Sequence, residues 1–285
     1  MTGLSSDETA RLRDAALQMR QNIVRMVRAG GGGHAGGALS CTDIVASLYF
    51  SVLRVDPANP LWPERDRLIL SAGHKCMALY AALAQRGFFD EKLLETYGSL
   101  NSRLPGHPVM SKIPGVEANT GALGHGLSIA GGIAMGLKLR GLTAKVYVIM
   151  GDGELAEGSN WEAAAAASHH TLDNLVVFVD RNGLQISGET RGVMNYEPIA
   201  QRWTAFGWSA RQIDGHDFSQ IIEAARQTPF ETGKPSVVIA TTIKSKGLSF
   251  AEGRMEYHYW KPKADELSRA ERDLGMAADD SKRRK

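Results

Sequence analysis

Cysteine is scarce. Cys41 and Cys76 are the only two among 285 residues, and they form no Cys-x-x-Cys pair. That argues against a disulfide scaffold and points to a reducing compartment. Zinc signatures are missing as well: there is no His-Glu-x-x-His and no paired-cysteine spacing. No run of 18 apolar residues exists, so no membrane-spanning helix and no membrane partner are expected. Neither sign of charge dominates, since 33 Lys and Arg against 31 Asp and Glu leave +2. A dedicated nucleic-acid binder would show its basic face in that total, so nucleic acid is not an expected partner. The closing SKRRK is a local exception and reads as a solvated terminus. The opening MTGLSSDETARLRD carries acids where a secretory signal is basic, and no apolar segment follows it. A cytoplasmic location is the expectation.

What is present supports a sizeable core. Hydrophobic residues make up 43% and charged residues 22%, which is too apolar for a disordered chain. Ser5-Ser6-Asp7-Glu8 has the form of a capping box, and Leu12, Ala15, Ala16, Met19, Ile23, Met26 and Val27 follow at helical spacing. The pattern predicts a helix over about 6–28, stopped by the glycines at 30–33, and a second helix from Thr42-Asp43. RLILS (67–71) reads as a buried strand, and 98–120 as a long ordered loop of the functional kind. KVYVIM (145–150), the helix around WEAAAAASHH and LVVFVD (175–180) make one β-α-β unit. WSARQI, SQIIEAARQT and SVVIATTI make another. Strands alternating with helices predict an α/β fold: a doubly wound, mostly parallel sheet with helices on both faces. A single domain is expected over 1–270, with a charged flexible tail over 271–285. A nicotinamide-binding glycine loop is not expected, because the glycine run at 30–37 follows a helix rather than a strand.

Two stretches carry the chemistry. VIMGDGELAEGSNWE puts Asp152 just past one strand, and VFVDRNGLQISG puts Asn182 just past the next. One crossover helix makes these strands parallel neighbours, about 4.8 Å apart, so both residues leave the carboxyl edge where ligands bind in open sheets. A carboxylate, a carboxamide oxygen and one backbone carbonyl would suit Mg²⁺ held together with a diphosphate. Gly151 and Gly153 remove side chains where a phosphate must approach backbone, and the helix after Gly158 aims its N-terminus there. Each motif taken alone also reads as an ordinary strand-to-helix or β-turn.

Gly-Asp-Gly followed some thirty residues on by Asn resembles the thiamine diphosphate-binding motif. Further segments, in order, resemble transketolase: GGHAGGALS, LSAGHKCMALYAAL, LPGHPVMSKIPGVEANTGALGHGLSIAGGIA, GDGELAEG, DRNGLQISG and TTIKSKGLSFAEGRMEYHYW. The resemblance covers about 10–260 and is to the pyrophosphate-binding domain of the thiamine diphosphate-binding fold. The resemblance implies thiamine diphosphate with Mg²⁺ (or Ca²⁺) held by Asp152, Asn182 and the carbonyl of Leu184. It implies His74 as a diphosphate ligand and Gly121, Ala122 and Leu123 as a backbone contact loop. Gly151 and Gly153 lie at the diphosphate, Glu157 links two cofactor sites across a dimer interface, and Lys244 is a cofactor-facing cation. His34, His107 and His258 line the sugar channel, with His34 and His258 as candidates for proton transfer. Ala122 stands where relatives often have Pro, and Ser187 where many have Asp. His125, His169, His170 and His216 are expected to be structural or at the surface, His216 tying its turn together.

The implied activity is transfer of a two-carbon ketol unit from a ketose (phosphate) donor to an aldose acceptor. The pyrimidine-binding domain, with the glutamate that protonates the aminopyrimidine ring, has no counterpart in this sequence. A second subunit carrying the pyrimidine-binding and C-terminal domains is therefore expected, in an α₂β₂ heterotetramer. Two alternatives share the motif. One is an α-type subunit of another thiamine diphosphate enzyme, either a 2-oxo acid dehydrogenase or decarboxylase or an acyloin-forming carboligase. The other is a non-catalytic scaffold of the same fold.

Overall fold

The computed structural model describes residues 4–263 and 265–276. Among these residues ten α-helices run in chain order: α1 (Ser6–Gly30), α2 (Ala35–Ser40), α3 (Thr42–Ser47), α4 (Cys76–Gln85), α5 (Gly126–Leu139), α6 (Gly158–His169), α7 (Thr190–Val193), α8 (Ile199–Ala205), α9 (Phe218–Arg226) and α10 (Glu266–Asp273). Five strands alternate with them from β1 (Arg67–Leu70) through β2 (Val146–Gly151), β3 (Leu175–Arg181) and β4 (Ser209–Asp214) to β5 (Ser236–Thr241). Every strand pair is parallel and the order across the sheet is β1-β2-β3-β5-β4.

The strands read as continuous apolar runs because helices cover both faces of the sheet. Alternation still sorts the side chains. Leu68, Tyr147, Ile149, Phe178 and Val238 face the layer of α1, α3, α4 and α9. Val146, Val148, Val177, Val179 and Ile239 face α5, α6 and α8, where Trp203 and Trp208 fill the space. The edge strand β4 has the least buried pattern of the five.

Local chemistry sets the boundaries. Ser5 Oγ accepts the Glu8 N–H at 3.1 Å, and α1 ends at Gly31 in the left-handed region, φ 68°. Only half of the expected capping box forms. The Glu8 carboxylate accepts instead from Ser51 Oγ (2.7 Å) and Arg226 (3.1 Å), which ties α1 to two later segments. The glycine-rich run also holds α2, which the periodicity did not reveal. Loop 98–120 is irregular, as its composition indicated. His216 does tie its turn: its N–H donates to Asp214, its Nδ1 lies 2.7 Å from Asp43, and its Nε2 accepts the Ile243 N–H. Asp43 in turn takes a bidentate pair from Arg20, at 2.8 Å on each oxygen. The expected domain boundary at 270 falls inside α10, and residues 277–285 of the expected tail lie outside the described residues. Among the described residues no helix is long and apolar enough to cross a membrane.

Candidate cofactor and sugar site

Gly151 pairs in register with Asp180, so Asp152 and Asn182 leave adjacent strands side by side. Asp152 is buried; its Oδ1 accepts the Gly153 N–H (2.9 Å) and its Oδ2 the Gly183 N–H (2.7 Å) and Thr190 Oγ1 (3.3 Å). Burial, and then the charge of Asp180, push the Asp152 carboxyl above the usual range despite these donors. Asn182 Oδ1 accepts the Leu184 N–H at 3.1 Å, and the Leu184 carbonyl accepts from Lys244 Nζ at 3.1 Å. The sheet edge thus gathers one carboxylate, one carboxamide oxygen and one main-chain carbonyl. Among the described residues no group of three His, Cys, Asp or Glu is placed to hold a metal. This mixed oxygen set is nonetheless the kind that suits a hard cation, with positions left for other oxygens. An ammonium already lies against the Leu184 carbonyl, so the site accepts positive charge there.

A ring cluster stands beside this edge. His34 lies 5.3 Å from His74, 5.5 Å from His258, 6.3 Å from His107 and 4.9 Å from Tyr259, centroid to centroid. His74 and His258 stack at 5.4 Å. Distant segments meet here through backbone pairing and small residues. An antiparallel bridge between Gly33 and Trp260, with hydrogen bonds of 3.0 and 2.8 Å, draws the 258–260 stretch over His34. Gly73 lets His74 sit under loop 120–122: a Cβ there would lie 2.6 Å from the Thr120 carbonyl. Gly36 makes room in the same way for the carbonyl of Tyr257.

The cluster is electrically quiet. Burial, then the Lys75 charge, push His74 down to about 2; burial, then Lys244, push His258 down to about 3. Burial and His107 lower His34. Burial, then Lys75, bring Lys244 down to about 8, and its Nζ lies 3.0 Å from His258 Nδ1. These imidazoles are neutral near pH 7.

Beneath the site lies a buried network that motif reading missed. Asp180 Oδ2 accepts from Lys75 Nζ and Ser40 Oγ, both at 2.5 Å, and Thr242 Oγ1 donates to Oδ1. Burial opposes charge on both ions, but their attraction prevails: Lys75 is held above its usual range and Asp180 below. Glu154, also buried, accepts from Ser71 Oγ (2.5 Å), the Gly124 N–H (2.9 Å) and the Gly151 N–H (3.3 Å). It pins the 121–124 loop to the ends of β1 and β2. Burial raises its carboxyl above the usual range.

Residues 13–282 match the family described as "Transketolase, thiamine diphosphate binding domain". The chain belongs to the transketolase family. It is 45% identical to an apulose-4-phosphate transketolase subunit of Actinobacillus succinogenes, over 95% of this chain and 97% of that one. It is 44% identical to a 6-deoxy-6-sulfo-D-fructose transketolase subunit of a Clostridium species, over 86% of this chain and 91% of the other. The transketolase structure from Campylobacter jejuni superposes with a TM-score of 0.87 at 34% identity, over 93% of this chain. The match spans only 43% of that longer transketolase.

The fold brings most of the site residues expected from the sequence together. His34, His74, His258, Lys244, Leu184 and Asn182 are joined by the ring contacts and hydrogen bonds above, and Asp152 lies beside them through its bond to the Gly183 N–H. His107 stands at the outer edge and is exposed, and a Cβ on Gly121 would meet its ring at 3.0 Å. Leu123 is half-buried, and Ala122 is exposed. Gly151 covers Lys75, with a Cβ there 3.3 Å from Nζ, and Gly153 abuts Gln185. Glu157 is exposed at the start of α6, against Gly124 rather than in the ring cluster.

Proposed function

We propose that this chain is the diphosphate-binding subunit of a two-chain transketolase. It transfers a two-carbon ketol unit from a ketose to an aldose. The single observation that carries this reading is the convergence of Asp152, Asn182 and the Leu184 carbonyl with a cluster of neutral histidines on one sheet edge. The family supplies the cofactor class, thiamine diphosphate. When bound, it provides the carbon centre at which a ketose carbon–carbon bond is cleaved and remade.

The protein's part is positioning and proton transfer. Asp152, Asn182 Oδ1 and the Leu184 carbonyl hold Mg²⁺ or Ca²⁺ against the diphosphate. His74, the backbone of Gly121-Ala122-Leu123 and the space left by Gly151 and Gly153 seat the diphosphate, and Lys244 supplies a nearby positive charge. His34 and His258 take a proton from the donor hydroxyl. Their lowered basicity keeps them unprotonated at neutral pH. His107 binds sugar hydroxyls at the mouth. Glu157, exposed at the start of α6, faces a second copy of the assembly and links the two sites.

Relatives of nearly the same length are named as transketolase subunits rather than as whole enzymes. That supports a second chain, which on this reading carries the pyrimidine-binding domain; the assembly proposed with it is an α₂β₂ heterotetramer in the cytoplasm. The named relatives act on a phosphorylated and a sulfonated sugar, so the donor here is a ketose with an anionic substituent. Calorimetry of thiamine diphosphate with Mg²⁺ tests the reading, on this chain alone and then with its second chain. Binding that needs the second chain and is lost in Asp152→Ala supports it. Absence of binding in both conditions refutes it.

A further inference from the structure

Asn182 presents its carboxamide between two different environments. On one side its Nδ2 lies 3.3 Å from Asp180 Oδ2 and 3.4 Å from Ser40 Oγ; on the other its Oδ1 accepts the Leu184 N–H at 3.1 Å. The two ends of an amide have nearly the same shape, so packing alone does not choose between them. Charge does. An ionised carboxylate only accepts, so the NH₂ end must face Asp180 and the oxygen must face the metal position.

Asp180 can impose that choice because it is itself immobilised. Ser40 reaches it from α2, Lys75 from the turn after β1, and Thr242 from the segment after β5. Lys75 is the only cation bonded to it among the described residues, and the side chains of this pair are 4% and 0% exposed. The slot is shaped for lysine. A Cβ on Gly37 would lie 3.0 Å from the Lys75 chain, and one on Gly151 would lie 3.3 Å from Nζ. Lys75 also follows His74 directly, so anchoring its ammonium fixes the turn that aims the His74 ring.

We propose that Lys75 is a positioning residue for the metal–diphosphate seat: by holding Asp180 it turns the oxygen of Asn182 toward the metal, and by its own anchorage it sets the His74 turn. This rests on the cofactor reading above.

Positioning has a consequence that simple stabilisation lacks. Mg²⁺ demands a near-ideal octahedron with oxygens at about 2.0–2.1 Å, whereas Ca²⁺ tolerates irregular shells at about 2.3–2.6 Å. A loosened Asn182 therefore harms Mg²⁺ more than Ca²⁺. The experiment measures the dissociation constant of thiamine diphosphate by calorimetry, at saturating Mg²⁺ and at saturating Ca²⁺. It uses this chain assembled with its second chain, as wild type and as Lys75→Met. The expected result is a loss of about tenfold or more with Mg²⁺ and under about threefold with Ca²⁺. Equal changes with the two ions, large or small, overturn the proposal. Lys75→Met leaves Asp180 buried without its cation, so the charge-neutral pair Lys75→Met/Asp180→Asn is measured beside it. There the NH₂ end of Asn182 loses the Asp180 carboxylate, and the same Mg²⁺-selective loss is expected. A folded double variant with the wild-type ratio also overturns the proposal. Wild type that binds with neither ion overturns the cofactor reading itself, whereas wild type that binds while both variants keep its ratio overturns only the role of Lys75.

Discussion

Mild acid should weaken this fold through its histidine cluster. His74 and His258 sit at about 2 and about 3, against an ordinary value of 6.5. A base whose folded value is depressed contributes stability that is complete above 6.5 and is lost as pH falls through the window below it. At pH 5.5 an unfolded histidine gains about 1.4 kcal/mol from protonation that the folded one forgoes. For the two rings that is about 3 kcal/mol, reduced to about 2 because both keep some contact with water. Asp152 and Glu154 pull the other way: their carboxyls are raised by burial, so they bind protons more readily in the folded chain than in the unfolded one. The clean measurement is therefore a difference. His258→Asn keeps a possible acceptor for Lys244 and removes the imidazole. Urea unfolding at pH 7.5 and 5.5 should show wild type losing about 1 kcal/mol more than the variant. Equal losses in the two proteins would refute the claim that His258 is held neutral by its surroundings.

Three substitutions probe the scaffold under the site. Gly73→Ala puts a Cβ 2.6 Å from the Thr120 carbonyl; unfolding should show a loss of about 1–3 kcal/mol, and cofactor affinity should fall as loop 120–122 is displaced. Glu154→Ala strips the acceptor from Ser71 Oγ and the Gly124 and Gly151 N–H groups; a destabilisation of about 3–5 kcal/mol is expected in urea, while retention of wild-type stability would mean that water replaces the carboxylate. Gly132→Ala meets nothing within 4 Å inside α5, so the chain by itself should gain about 0.5–1 kcal/mol in the same assay.

The sheet was legible because its signal is local. RLILS, KVYVIM, LVVFVD and SVVIATTI are apolar runs separated by helix-forming segments, and parallel β-α-β connectivity follows from that order. The same logic placed Asp152 and Asn182 side by side, and the register of Gly151 with Asp180 agrees. The histidine cluster came from resemblance alone, since no spacing rule links His34, His74 and His258. The role of Glu8 was not legible, because S-x-x-E fits a capping box equally well whether the glutamate turns back or reaches across to Ser51. Lys75 and Asp180 are 105 residues apart, and neither periodicity nor a motif carries information over that distance. In the sequence Lys75 reads only as the residue after a motif histidine, and Asp180 as part of a turn.

The buried charges explain why the site calls for a cation at one place and not another. Asp180 is answered by an ammonium at 2.5 Å and by two hydroxyls. Lys244 is committed to the Leu184 carbonyl and to His258, while the surrounding imidazoles stay neutral. Asp152 and Glu154 both have dipoles but no cation within bonding distance among the described residues, and of the two it is Asp152, held by two backbone N–H groups and the Thr190 hydroxyl, that leaves the sheet beside Asn182. Backbone dipoles ease a buried carboxylate without neutralising it, and the upward push on its carboxyl marks the shortfall. The charge balance is closed at Asp180 and open at Asp152. On the proposed cofactor reading, a divalent ion held there would relieve the shortfall at Asp152 and would bring positive charge to a bound diphosphate. On this argument metal affinity should fall far more in Asp152→Asn, which keeps the shape and loses the charge, than in Thr190→Val, which loses only a weak dipole.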